Sequence, residues 1–518
     1  MNESDSGSFL AFLFIEKMQK RVKYYAFVFL LAFTACKKDD DISDPYGYIP
    51  PTDDRTELTL DSIYMYANEI WLWNTALPGY DAFSPRKYTT ESDLASYRNC
   101  LFNLLQYARR DNGTPYEQPV GSNRLKYSYM EVSGSGSSDQ LAAVSLEGIG
   151  DDYGFEVGQY VSGDVRLLYV NPGSVAHHAG FKRGDRILRI NGVEITTTGV
   201  VRTLIGQSEI NLEAISPDGM TKTASLRKGP YSSNGVLKNK VIESSGQKLG
   251  YLALARFANV HGLEEDLENI FQTFAVQSVE TLVVDLRYNT GGYVKVVETL
   301  GNLMAPSTLN GKTMYAEHFN QTMQQGKATI LKNQPYYGAD GKPVTIQGRP
   351  ATYHDVDYST TRNTRTFQKA GNFQSLKKVY FIVSGNTASA SEMLIQIFRP
   401  YVDVKIVGMT TYGKPVGFFG VNVDKYTVYF SSFHIRNGDG EGDYYDGIIP
   451  DIPATDDIGY DFGDVREASL SVVLSDISGT SASLRSKALP KAVQTEETGY
   501  RVSGFKGVVE DRVQWRKE

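Results

Sequence analysis

Four short apolar runs, residues 249–255, 281–286, 379–383 and 404–407, alternate with two stretches of helical apolar spacing, 263–274 and 391–398. Runs so short and so uniformly apolar read as buried strands, and strands that alternate with helices make an α/β domain. That domain cannot be the whole molecule, because 518 residues exceed what one hydrophobic core organises, and two to four domains are expected. With 41% hydrophobic and 22% charged residues, the bulk of the chain can bury enough apolar surface to fold.

Ahead of the α/β part lie two regions of different pattern. Between residues 57 and 110 apolar residues recur at helical spacing on both sides of an aromatic-rich Pro-Gly loop, so two helices are expected within an N-terminal helical region, 57–132. Cys100, on the second helix, reads as a small buried hydrophobe. The Ser/Gly run 133–138 is a flexible linker. Residues 140–228 then form a β-rich module. Its expected elements are a strand at 165–170, a turn at Asn171-Pro172-Gly173-Ser174, a short helix at 174–179 and a strand at 185–190. A turn at Asn191-Gly192 follows, then a hairpin of 209–215 with 221–226. Residues 306–378, rich in Tyr, Gln and Asn, read as a long insertion, and 461–518 as a C-terminal extension.

The amino end reads as an address. A basic stretch from Lys17 precedes an apolar run, 24–33, too short for a membrane span of about 20 residues, which is the layout of an export signal. Met18 is a better start than Met1, which would make residues 1–17 a start-site error. The run ends in Thr34-Ala35-Cys36 and resembles the lipobox of bacterial lipoproteins, so residues 1–36 are a signal peptide with Cys36 as the lipidated residue. Residues 37–56, with Asp39, Asp40 and Asp41, form a solvated linker, and the acidic run resembles the surface-export signal of Bacteroidetes lipoproteins.

Three spans carry chemistry: 285–292 (DLRYNTGG), 386–392 (NTASASE) and 411–415 (TYGKP). Ser389 falls between an apolar strand and an apolar helix, where helix N-terminal amides face whatever it attacks. None of the six histidines sits in a comparable turn with a carboxylate partner, whereas Lys414 follows the next strand across a glycine turn. A lysine desolvated in a cleft can lose its charge and accept the serine proton. Gly291 and Gly292 lack side chains where backbone amides could approach an oxyanion. Singly, a cap serine and a turn lysine are most often structural.

Together these spans resemble the C-terminal processing peptidases, the serine-lysine S41 family, with the closing element of that family echoed in 446–452 (DGIIPDI). The resemblance implies an α/β, ClpP/crotonase-like serine protease core at 240–460, with Ser389 as nucleophile and Lys414, 25 residues later, as general base. Amides of Gly291 or Gly292 and of Ala390 would form the oxyanion hole. Ser391 gives a poorer spacing and reads as a capping or neighbouring polar group. Residues 140–228 are similar to bacterial PDZ domains, which implies capture of a polypeptide C-terminus by backbone amides around Tyr153, Gly154, Phe155 and Glu156. One position departs from the family: Phe418 stands where an orienting glutamine is expected, and an apolar ring would help the lysine only weakly.

The expected fold class is therefore α/β multidomain, and the expected activity is that of a lipid-anchored serine endopeptidase of the cell envelope, on the outer membrane. Its partners would be polypeptide substrates and, through Cys36, the membrane. The alternative is a catalytically weak scaffold that holds peptides in the PDZ groove. Net charge −7 argues against a nucleic-acid partner. Two cysteines and no HExxH pair give no reason to assign a metal or cofactor.

Overall fold

The computed structural model describes residues 46–118, 124–133, 148–161, 163–258, 262–338, 341–479, 508–509 and 515–516. Cys36, the export segment before it, His261 and most of the linker at 133–138 lie outside the described residues. The chain divides into two compact units. In the smaller, Met1–Pro51 with Gly79–Ser84, the helical turn Tyr80–Phe83 ends at Ser84, whose N–H donates to the Tyr80 carbonyl. The larger unit, Thr52–Pro78 with Pro85–Glu518, holds the sheets and all three motifs.

Its central sheet has six strands in the order Val236–Ser244, Gln247–Leu254, Thr281–Asp285, Lys378–Val383, Asp403–Gly408 and Ile452–Pro453. The first two form an antiparallel hairpin, and every later pair is parallel. Parallel strands need long crossovers, and helices then cover both faces, which is why these strands are apolar throughout rather than alternating. Successive side chains divide between the faces. Tyr251, Val283, Tyr380 and Val407 pack with Leu470 and Val473 of the helix Ala468–Ile477. On the opposite face Gly250 leaves room for Phe274 of the helix Leu263–Val276. The helix Ala468–Ile477, beyond the boundary expected at 460, covers a face of this sheet. An amphipathic helix without a counterpart in the sequence reading, Val294–Met304, buries Val294, Val297, Leu300 and Met304.

The 306–378 segment builds structure rather than hanging from the domain. Thr313–Phe319 and Thr364–Thr366 join Phe433–Arg436 and Val416–Gly417 in an antiparallel four-stranded sheet. The N-terminal region is likewise not purely helical. It contains the helices Arg55–Ile70 and Asp93–Leu104, with Asp54 capping the first by accepting from the Glu57 N–H at 2.9 Å. It then ends in the strand Tyr129–Val132, which pairs with Tyr426–Tyr429. Buried Glu117 clasps this junction, accepting from the Tyr127 and Ser128 amides and from the Ser128 and Ser431 hydroxyls. The region is thus part of the wall around the third motif.

In the β-rich module the strands Phe155–Val161, Asp164–Val170, Arg186–Ile190, Glu209–Ile215 and Thr221–Arg227 lie in that spatial order. Phe155, Val157, Leu167, Ile187, Ile210 and Leu212 fill its core. Asn191 and Gly192, both at positive φ, make the tight turn expected of an Asn-Gly pair. No helix among the described residues is long and apolar enough to cross a membrane.

Candidate active site

Strands Thr281–Asp285, Lys378–Val383 and Asp403–Gly408 are neighbours and parallel, so the turns that follow them open at one end of the sheet, where open α/β sheets bind ligands. All three motifs are carried there and are stitched together. Ala388 N–H donates to the Asn289 carbonyl at 3.2 Å, the Thr387 hydroxyl to the Leu286 carbonyl at 2.8 Å, and Tyr412 N–H to the Thr387 carbonyl at 2.9 Å.

Ser389 is the N-cap of the helix Ala390–Phe398, with φ 60° and ψ −115°. A non-glycine residue held there carries backbone strain of order 1–3 kcal/mol, and such strain persists where the surroundings impose it. Its hydroxyl is fully buried and has no hydrogen-bond partner. Ser391, two residues on, donates instead to the Asn289 carbonyl at 2.9 Å, so it is the neighbouring polar group and Ser389 itself is the cap.

The residue that joins the Ser389 turn and the Lys414 loop is Glu392, for which the sequence reading had no role. Its Oε2 accepts from the Ser389 and the Lys414 amides, each at 2.8 Å, which places those two nitrogens within twice that distance of each other. Its Oε1 accepts from Gly413 N–H at 2.6 Å and from the Thr411 hydroxyl. Burial pushes the carboxyl pKa up, and these four donors oppose that push. A serine followed three residues later by glutamate at a helix start is a capping-box signal, and that signal could have found Glu392.

Lys414 is 1% exposed, and its Nζ lies 4.2 Å from the centroid of the Phe418 ring. The expectation that Phe418 offers only weak help is corrected: the ring sits on the amine, and its quadrupole favours the ammonium form. Gly413 makes the approach possible, since at φ 80° a Cβ would stand 2.4 Å from the Gly447 nitrogen of the closing segment. Tyr127 donates to the Gly413 carbonyl at 2.6 Å, so the N-terminal region braces the lysine loop. The nearest histidine by register is His434, opposite Val416. Burial, aided by Arg436, lowers its pKa to about 4, and its Nε2 lies 3.1 Å from the Gly442 carbonyl.

The oxyanion assignments divide. Gly291 N–H already donates to Asn289 Oδ1 at 3.0 Å, so of the two glycine amides expected as alternatives this one is engaged. Gly292, at φ 140°, is pressed so close to the Phe257 carbonyl that a Cβ would stand 2.1 Å from its oxygen. The Ala390 amide opens the helix and has no intrahelical partner. Asn289 Nδ2 is buried without a partner, a second unsatisfied polar group beside the unsatisfied serine hydroxyl. Such orphans are costly in a finished interior and useful where a substrate will supply the missing bond.

In the β-rich module Phe155–Val161 is an edge strand, and among the described residues no strand pairs with its outer side. Gly154 N–H donates to Asp152 Oδ1 at 2.6 Å, so an acidic side chain of the chain itself takes the donor assigned to a captured carboxylate. Tyr153 and Phe155 are core residues, and Glu156 is buried at the start of the edge strand.

A buried charge array ties this module to the first motif. Arg183 donates to Tyr288 Oη at 2.6 Å and pairs with Asp456, while Arg287 pairs with Asp285, Asp456 and Glu467 at 2.7–2.8 Å. Burial raises the pKa of Asp456, but Arg183 and Arg287 outweigh it and hold it at about 2. A carboxylate lowered on folding stabilises the fold above its unfolded pKa and ceases to do so as pH falls through the folded value. The contribution, on the order of 2 kcal/mol, is thus expected to disappear between about pH 4 and pH 2. Urea unfolding at pH 6 and pH 3 checks this: Asp456→Asn should be less stable than the parent at pH 6 and show a smaller loss on acidification.

Among the described residues no three His, Cys, Asp or Glu side chains converge to hold a metal ion. Residues 248–454 match the sequence profile of peptidase family S41, and residues 167–213 that of a PDZ domain. The carboxy-terminal processing protease CtpB of Bacillus subtilis (strain 168) is 27% identical over 288 residues, 54% of this chain and 48% of that protein. CtpA of the same organism is 23% identical over 334 residues, 63% of this chain and 60% of that one. The chain therefore spans about half the length of the curated relatives it matches. A crystal structure assigned to the S41 proteases, from Bacteroides fragilis NCTC 9343, has the same fold, with a TM-score of 0.53 at 20% identity over 83% of this chain and 98% of that one.

Proposed function

We propose that this chain, which carries a peptidase family S41 domain behind a PDZ domain, is a serine endopeptidase that cleaves polypeptides by a Ser389–Lys414 dyad. The observation that carries the reading is the unsatisfied Ser389 hydroxyl, held in a strained turn that shares one Glu392 oxygen with the Lys414 amide. Ser389 Oγ attacks the peptide carbonyl while neutral Lys414 takes its proton. The Gly292 and Ala390 amides, with Asn289 Nδ2 in place of the engaged Gly291 amide, receive the oxyanion. Lys414 returns the proton to the leaving amine, and water activated by the same lysine hydrolyses the acyl-enzyme. Substrate is an extended chain end added to the Phe155–Val161 edge.

Labelling by a fluorophosphonate tests the dyad. The purified mature protein should gain one covalent adduct at Ser389, located by peptide mass spectrometry and lost in Ser389→Ala. Adduct at another serine, with Ser389 unmodified, would overturn the assignment. Hydrolysis by the parent chain, measured alongside, separates an enzyme from a peptide-holding scaffold.

The same reading places the protein in the cell envelope, anchored to the outer membrane by lipid on Cys36. Lipid on a terminal cysteine partitions a chain to the membrane without a spanning helix. Cys36→Ser is expected to move the protein out of the membrane fraction, and a mature N-terminus mapped far from Cys36 would contradict the anchor.

A further inference from the structure

The chain's own C-terminal end lies at the candidate site. Val508–Val509 form a short strand paired in parallel with Gly292–Tyr293, Gly292 opposite Val508 and Tyr293 opposite Val509. This strand also lies beside Val416–Gly417, which follows Lys414. A second anchor comes at Trp515, which bridges Val356 and packs edge-on against Tyr336 at 5.1 Å. Arg516 adds two bonds of 3.0 Å, from its N–H to the Asp355 carbonyl and from its Nε to the Val356 carbonyl.

The parity of hydrogen bonding says what this pairing occupies. A strand directs successive peptide groups to opposite sides. Phe257 takes the Gly291 carbonyl and the Tyr293 N–H, each at 3.0 Å, so the N–H and carbonyl of Gly292 itself face the other side, where Val508 lies. The Gly291 amide is engaged by Asn289. While the tail is seated, neither glycine amide is open to an oxyanion.

We infer that the Val508–Val509 strand, with a second anchor at Trp515, is a tethered occupant of the cleft: the Gly292–Tyr293 edge takes an extended peptide in parallel register, and this strand of the chain itself is the first peptide to fill it, holding the protein in a self-inhibited state. In treating that edge as the substrate edge, the inference rests on the peptidase reading. Because the occupant is covalently attached, its local concentration is set by the tether rather than by the bulk, and a free substrate must displace it.

The test uses the full chain and two readouts. Val509→Pro removes the backbone N–H that this register sets against the Gly292 carbonyl, and Trp515→Ala removes the second anchor; they are made singly and together. In the Ser389→Ala background, hydrogen exchange at the Gly292 amide is expected to quicken at least about tenfold in the double variant, because a lost strand partner exposes that amide. With Ser389 intact, cleavage of fluorescein-labelled casein is expected to rise by about tenfold in the double variant. A synthetic peptide of residues 505–518 added in trans should reverse the rise. Faster exchange with no casein cleavage in any form would uphold the occupied edge and overturn the peptidase reading. Unchanged exchange with ordinary cleavage in all forms would overturn the inference and leave that reading standing. If Val509→Pro misfolds by circular dichroism, Trp515→Ala alone carries both readouts.

Discussion

Ser389→Ala is expected to lower peptide hydrolysis by at least about 10⁴-fold while leaving the fold as stable as the parent or slightly more so. The loss follows from removing the nucleophile, since serine hydrolases stripped of it retain only what binding and the oxyanion donors supply. The stability expectation follows from the hydroxyl being buried and without a hydrogen-bond partner, so that deleting it breaks nothing and removes an unsatisfied polar group. Ser391→Ala should behave in the opposite way. It loses the bond to the Asn289 carbonyl, which destabilises by about 1 kcal/mol. That carbonyl keeps the Ala388 amide, so the turn survives and activity should stay within about tenfold of the parent. Thermal melts and initial rates on the two variants separate the roles. An active Ser389→Ala, or a dead Ser391→Ala that remains folded, would remove the dyad assignment.

Lys414→Ala should lower single-turnover acylation by about 10³-fold or more and abolish its rise with pH. An ammonium cannot accept the serine proton, so the parent's activity is lost as pH falls and recovered on the alkaline side of neutrality. The Phe418 ring, 4.2 Å from Nζ, stabilises the ammonium and therefore works against the base. Phe418→Leu keeps an apolar side chain and removes the ring quadrupole. At about 1–2 kcal/mol for a desolvated cation–π contact, the ascending limb should move down by about one pH unit. Phe418→Gln, which restores the family's orienting amide, should raise the plateau rate. His434 is the other base to consider, and the pH profile distinguishes it. Burial has already brought its pKa to about 4, so a His434 base would give a rate at its plateau by neutral pH. A Lys414→Ala variant with such a flat profile and parental rates would transfer the role to His434.

The reach of the sequence differed between kinds of feature. Four strands of the central sheet were readable because fully buried strands have no polar face, and they differ from the expected runs by one or two residues at their ends. The turns of the β-rich module were readable because Asn191-Gly192 demands positive φ whatever surrounds it. The Tyr129–Val132 strand was not, since four residues with no strong alternation become a strand only by pairing with Tyr426–Tyr429, nearly 300 positions away. Nor was the helix Ala468–Ile477 readable as core, because nothing local says which sheet face lies bare.

At the site the same division holds. Residue types and spacing determined by themselves that Ser389 would stand at a strand-to-helix turn and that Lys414 would follow a glycine turn after the next strand; these are local facts of period and turn chemistry. Only the tertiary structure decided that Glu392 would collect amides from both the serine and lysine segments, that Asn289 would engage the Gly291 N–H, that Phe418 would lie on the Lys414 amine, and that Val508 would pair with Gly292. Each of these is a choice among competing donors and acceptors. That choice depends on which strands become neighbours in the sheet, and strand order is fixed by the burial of the whole core rather than by any residue's near neighbours in the chain.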